Sequence, residues 1–290
     1  MFVWDIKNIV IALVGVVNII EGVVVYTRNR ISRINFWFLI LVGSISLWMA
    51  SMLMYRGSPD YFQTVFWARI LYFSATTIPF TFLYFTFVFP GEKFQLGFLH
   101  RFIIPIPFII IAALSLWPDT LIHGAVIGQG EKIIIFNSGL HLLYAFYISG
   151  YFFISYTNLL KKIFASSGIE RVQIIYVLIG TLLATIVGTV SNLYLPLVGV
   201  FTYNWAGQIG VASMVGAISY AIFRHHLFDI RVIATELITF AIWAFLFVRF
   251  LLSDSTRDRV IDGSLLALVG FFGIFLIRSV LREVKSREQI

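Results

Sequence analysis

The sequence predicts an all-α fold, a polytopic transmembrane bundle of about nine helices, on three observations. Hydrophobic residues make up 60% of the chain and charged residues only 12%, far from the composition of soluble domains. The mean hydropathy is +0.93. Apolar runs long enough to cross a bilayer, about 20 residues each, recur from end to end with short connections between them.

The first run, 8–27, follows a single positive charge, Lys7, lacks a small-residue cleavage site and is trailed by Arg28, Arg30 and Arg33. It therefore reads as a span and not as a signal peptide. Runs 34–55 and 62–89 come next, the second containing Pro79. Run 101–117 opens on HRFIIP, where His100 and Pro105 mimic the spacing around a histidine-kinase phosphoacceptor. That box wants an acidic neighbour on a soluble helix pair, whereas this one opens a membrane helix, so the match is accidental. The longest connection, DTLIHGAVIGQGEKIIIFNSG, has a Gly-Gln-Gly turn between VI and KIII, which predicts a small hairpin over the helix ends. Runs 139–160, 171–195 and 199–223 complete seven spans, and 232–252 and 264–281 add two.

Lys and Arg divide unequally between the two sets of connections. Taking the connection after the first span as cytoplasmic, that side holds Arg28, Arg30, Arg33, Lys93, Arg101, Lys161, Lys162, Arg171, Arg224, Arg231, Arg278, Arg282, Lys285 and Arg287. The other side holds only Lys7, Arg56, Lys132, Arg249, Arg257 and Arg259. The positive-inside rule then places the N-terminus outside and the C-terminus in the cytoplasm. The net charge of +7 suits anionic lipid at the inner surface, so no nucleic-acid partner is needed. The chain has no cysteine, which excludes disulfides and thiolate metal sites.

The joint RHHLFDIR, 224–231, invites a metal reading through His225, His226 and Asp229. Adjacent helical residues point about 100° apart, so the two histidines cannot face one ion on a helix. As an interfacial turn the segment works better: Arg224 and Arg231 sit at headgroup level while Leu227 and Phe228 dip into lipid. No metal or other cofactor is expected. Retinal would need a lysine within a late helix, and every lysine lies at a helix end or in a connection. No zinc-protease, nucleophile-elbow or P-loop motif is present.

Polar groups inside spans are functional candidates. Arg69, His141, Tyr144, Asn192, Asn204, Trp205 and Gln208 fall near the outer ends of the third, fifth, sixth and seventh spans, where they can line one outward-opening ligand cavity. The bland alternative makes Trp and Tyr an interfacial belt and the amides packing glue. Glu21 lies deeper, beside Asn18, and is expected to bond Asn18, Ser74 or Thr77. The tail RSVLREVKSREQI carries a stripe, Ile277, Leu281 and Val284, at coiled-coil spacing, and reads as a signal-relaying connector.

Several segments in order, RISRINFWFLILVGSISLW, FWARILYF with IPFTFLYFTFVFP, RVQIIYVLIG, NLYLP, AISYAIFRHHLFDIRVIATE and IRSVLREVKSREQI, resemble the N-terminal seven-transmembrane sensor region of bacterial membrane histidine kinases. The resemblance implies a seven-helix sensor region over 1–223. Residues 224–290 would then hold the joint, two further spans and the start of a cytoplasmic signalling helix. It also implies an inner-membrane location, a homodimer, downstream kinase domains and a response regulator. The stimulus would be a small ligand or lipid. Phosphoacceptor and ATP-binding boxes are missing from the chain itself, which is not expected to be an enzyme alone. The competing class is a secondary transporter or channel, which should show inverted repeats and paired broken helices around a midplane site.

Overall fold

The computed structural model describes residues 5–91, 97–128, 132–223, 239, 242–243, 246–247, 249–250 and 256–287. The chain forms two compact units, Met1–Phe223 and Arg224–Ile290. In the first, α1 (Ile6–Arg28), α2 (Arg33–Gly57) and α3 (Tyr61–Val88) are followed by α4 (Phe98–Ile103) and α5 (Pro105–Leu116). Then come β1 (Ile122–Ile127), β2 (Lys132–Phe136), α6 (Ser138–Ala165), α7 (Gly168–Thr189) and α8 (Ala206–Phe223). In the second unit the long helix is α9 (Thr256–Arg287). Four helical segments are long and apolar enough to cross a membrane, namely α1, α2, α3 and Gly168–Leu197, and Arg101–Leu116, Ala206–Ile222 and Val260–Gly273 are shorter apolar helices. This is a multi-pass helical membrane protein.

Helix starts follow local chemistry. Asp5, Ser32, Asp60 and Asn137 cap α1, α2, α3 and α6, each side chain accepting from the backbone N–H three residues on, which satisfies one of the orphan donors of a first turn. Two spans differ from the sequence reading. Run 101–117 is broken at Ile104, with Pro105 opening α5 where its missing N–H costs nothing. The seventh span starts at Ala206 and not at 199, because Gly199 takes φ 81° and turns the chain, a conformation without penalty only for glycine. Asn204 and Trp205 therefore precede α8. Helix α7 runs on through a π-helical turn, Val190–Tyr194, and a last turn, Leu195–Leu197.

The predicted hairpin is present, a departure from a purely helical fold. β1 and β2 pair antiparallel, with Val126 opposite Ile133 and Ile127 opposite Lys132. Ala125 and Ile134 are buried beneath it. Gly124 lies so close to α3 that a Cβ there would meet the Tyr61 hydroxyl at 2.8 Å.

α2 and α3 form the centre of the first unit, with α1, α5, α6, α7 and α8 packed around them. Close approach between α7 and α8 depends on small residues: a Cβ on Gly180 would fall 2.1 Å from that of Ala217, and one on Gly207 would come within 3.0 Å of the Gly188 Cα. Such contacts are a typical source of helix association in lipid. α6 is fastened to α3 by polar side chains. The Tyr144 hydroxyl donates to the Tyr72 carbonyl at 3.0 Å and the Tyr147 hydroxyl to the Thr76 carbonyl at 2.9 Å.

In the second unit, α9 meets the described residues of 239–250 in antiparallel order. Gly273 faces Thr239, Gly270 faces Trp243 and Gly263 faces Phe250. Arg249 pairs with the buried Asp262 at 2.9 Å. The joint at 224–231, with His225, His226 and Asp229, lies outside the described residues, as does most of the 232–252 run. α9 continues from the apolar segment through Ile277, Leu281 and Val284 without a break.

Candidate functional site

The hairpin, the starts of α1 and α3, the end of α2 and the turn before α8 enclose a basin of about 550 Å³ at one end of the first unit. Three cations converge on it, Lys7 from α1, Arg56 from α2 and Lys132 from β2, against one carboxylate, Asp5. Arg56 donates to Asp5 at 2.6 Å and to the Asn8 side-chain oxygen at 2.8 Å, tying the end of α2 to the start of α1. The Lys132 ammonium donates to the carbonyls of Tyr55, Arg56 and Ser58 at 2.6, 3.1 and 2.7 Å. It thereby caps the α2 C-terminus, the negative end of the helix dipole. Tyr55 returns a bond from its hydroxyl to the Lys132 carbonyl at 2.9 Å. Burial, with the Arg56 charge adding and Asp60 opposing, lowers the Lys132 pKa from the usual lysine value to about 8. The Lys7 ammonium lies 5.1 Å from the centroid of the Trp205 ring, within cation–π range.

Next to the basin is a cleft of about 20 Å³ that shares Phe201 and Asn204 with it and adds Tyr72, Tyr144 and Asn192. Adjoining the cleft is an open pocket of about 70 Å³, which shares Trp48, Ala75, Tyr144 and Asn192 with it and is otherwise mostly apolar, with Ile78, Phe152, Val211 and Met214. Asn204 is 8% exposed, and its side-chain oxygen has no donor among the described residues.

The residues expected to bind a ligand separate into groups. Tyr144, Asn192 and Asn204 share the cleft. Trp205 is buried beside it, its ring N–H donating to the Thr202 carbonyl at 3.1 Å. The buried Gln208 amide, oriented as its neighbours require, donates to the carbonyls of Asn204 and Trp205 at 2.8 and 3.1 Å. His141 is stacked on Phe136, centroids 3.9 Å apart, and flanked by Tyr72 and Tyr144. Arg69 lines none of these spaces. Its guanidinium reaches Asp119 at 3.7 Å, in the turn after α5, and its buried Nε has no acceptor among the described residues.

Glu21 also has a different partner from those expected. The Ser219 hydroxyl on α8 donates to it at 3.4 Å, while the Asn18 amide points to the Met49 sulfur on α2 at 3.4 Å. Thr77 spends its hydroxyl on α3 itself, and Ser74 divides its own between the Leu71 carbonyl at 2.9 Å and the Ser51 hydroxyl of α2 at 3.5 Å. The reason is rotational: α1 packs against α2 and α8, so its polar side chains meet those helices.

The basin cations were missed by sequence reasoning, because each is a lone charge in or beside a connection. A usable signal existed. Six Lys and Arg sit against the positive-inside bias, and three of them, Lys7, Arg56 and Lys132, meet here.

The family profile described as the N-terminal 7TM region of histidine kinase matches residues 10–231. The chain belongs to that family. All of the basin except Asp5, Lys7 and Asn8 and all of the cleft and apolar pocket fall inside the matched stretch of the 7TM region. No curated protein is similar enough to the chain to count as a match. The family is an N-terminal region of histidine kinases and not a catalytic domain.

Proposed function

We propose that this 7TM region is the sensor of a two-component histidine kinase in the bacterial inner membrane. In this reading it takes its stimulus at the basin and passes it through α9 to cytoplasmic kinase domains, which act on a response regulator. The observation that carries the proposal is the convergence of Lys7, Arg56 and Lys132 at the end that the positive-inside rule assigns to the exterior. Arg56 and Lys132 hold the rim of the basin together, while Lys7 and the unused acceptor on Asn204 are left to suit recognition. Arg69 supports the site indirectly by holding the Asp119 turn that leads into β1. The unbroken α9 favours a relay in which Ile277, Leu281 and Val284 form the seam of a homodimer, with the nine-span topology bringing the end of that helix out into the cytoplasm. The 7TM match does not favour the transporter or channel alternative.

The native chain has no cysteine, so sidedness can be read from single substitutions. Ile127→Cys should react with a membrane-impermeant thiol reagent in intact cells, and Lys161→Cys only after permeabilisation. The reverse pattern would overturn the proposal.

A further inference from the structure

The basin, the cleft and the apolar pocket adjoin one another in that order, and their walls change from charged to apolar along it. Basin and cleft are separated by Phe201 and Asn204, and cleft and pocket share Trp48 and Tyr144. The apolar pocket alone has room for on the order of five water-sized groups, yet its lining offers such groups few polar partners. An apolar chain suits it better than water does. Lys7 brings to the basin a charge for which no described carboxylate lies within ion-pair distance, and the Asn204 oxygen at the throat asks for a donor.

We propose that the three spaces together bind a single-chain anionic amphiphile. Its carboxylate would sit in the basin near Lys7 and Arg56. An N–H or O–H just below the head would donate to Asn204, and its unbranched chain would run past Phe201 to Trp48. N-acyl amino acids and hydroxy fatty acids have this chemistry. The eight residues from Arg56 to Trp48 along α2 span about 12 Å. An extended chain covers that distance in about ten bonds, so chains of ten to twelve carbons, roughly, fit best. This inference rests on the sensor reading for its biological sense but not for its test.

Trp48 lines both inner spaces and is the reporter. The full chain in phosphatidylcholine vesicles would be titrated with a twelve-carbon N-acyl glycine brominated at the chain end, since bromine quenches a neighbouring indole. Saturable quenching is expected, reversed by the unbrominated compound and lost in Trp48→Phe. Lys7→Gln should weaken binding about tenfold, the loss of one charge-assisted contact, and Lys7→Arg should restore most of it. The oxygen ester lacking the N–H should bind about tenfold more weakly through the unmet Asn204 acceptor.

Quenching that grows without saturation, or is unchanged in Lys7→Gln, would overturn the proposal. So would equal quenching by the neutral brominated alcohol. Displacement of the probe by added phosphatidylglycerol would assign the same chemistry to a membrane lipid and overturn a free amphiphile. Absent quenching with normal sidedness of Ile127→Cys and Lys161→Cys would remove this ligand and leave the sensor reading standing. Saturable quenching with reversed sidedness would do the opposite.

Discussion

Two lysines do the same chemistry at opposite ends of the first unit, and the difference lies in what carries them. Lys132 caps the end of α2 from a two-stranded hairpin. Lys162 caps the end of α3 from within α6, donating to the carbonyls of Thr86, Phe87 and Phe89 at 2.7, 2.9 and 2.5 Å. Asn158, one turn earlier on α6, adds a bond to the Thr86 carbonyl at 3.0 Å. A two-stranded hairpin is at best marginally stable by itself, and Lys132 faces a basin large enough for water or a ligand. Lys162 belongs to a 28-residue helix and serves carbonyls at a buried end, where Thr86 and Phe89 are 0% and 1% exposed. One clamp can be competed for, and the other fastens the bundle.

Removing each clamp should break that symmetry. Lys162→Met takes the ammonium donor from the Phe87 and Phe89 carbonyls, Thr86 keeping its bond from Asn158, and should cost about 3 kcal/mol of stability, visible as a large loss of folded protein in detergent. Lys132→Met should cost about 1 kcal/mol, because water in the basin can take over its acceptors. Equal losses would mean that mounting is irrelevant.

A smaller effect should come from pH. The Lys132 charge disappears as pH rises through about 8, leaving Lys7 and Arg56 against Asp5 in the basin, with Tyr55 and Asp60 nearby. Binding of a simple anion such as sulfate should therefore weaken several-fold between pH 7 and 9 in the wild type, and stay flat in Lys132→Arg, whose guanidinium does not titrate. The smallest effect is expected for Tyr147→Phe. It removes one neutral bond to the Thr76 carbonyl, worth about 1 kcal/mol, and a thermal-unfolding series on the folded protein would detect it.

Much of this architecture was legible from local chemistry. Apolar runs coincide with the four helices long and apolar enough to span a membrane, Gly-Gln-Gly announced the hairpin, and Asp5, Ser32, Asp60 and Asn137 are residues of the kind that start helices. Long-range choices were not legible. Glu21 meets Ser219, 198 positions away, because helix rotation decides what a polar side chain faces, and an apolar helix with polar residues on more than one side does not declare its rotation. Arg69 goes to Asp119 because the turn after α5 brings that carboxylate to α3, a turn in which Asp119 takes a positive φ. The clefts were foreseen only through Tyr144, Asn192 and Asn204. The charged rim above them was read as topology alone.

The central claim is that Lys132, facing the basin, ties closure of the hairpin on α2 to its own protonation: burial beside Arg56 disfavours its charge in the closed form, so the hairpin closes more tightly over the neutral amine. With its pKa lowered to about 8 in the closed form and at the ordinary lysine value when the hairpin opens, Lys132 contributes stability that is present above the ordinary value and lost as pH falls through about 8. Amide hydrogen exchange of residues 122–127 and 132–136, corrected for the intrinsic pH dependence, reads this directly. Protection should rise a few-fold from pH 7 to pH 9 in the wild type, solvent at the half-exposed ammonium screening part of the effect, and stay constant in Lys132→Arg. Flat or falling protection in the wild type, or the same rise in the arginine variant, would contradict the account.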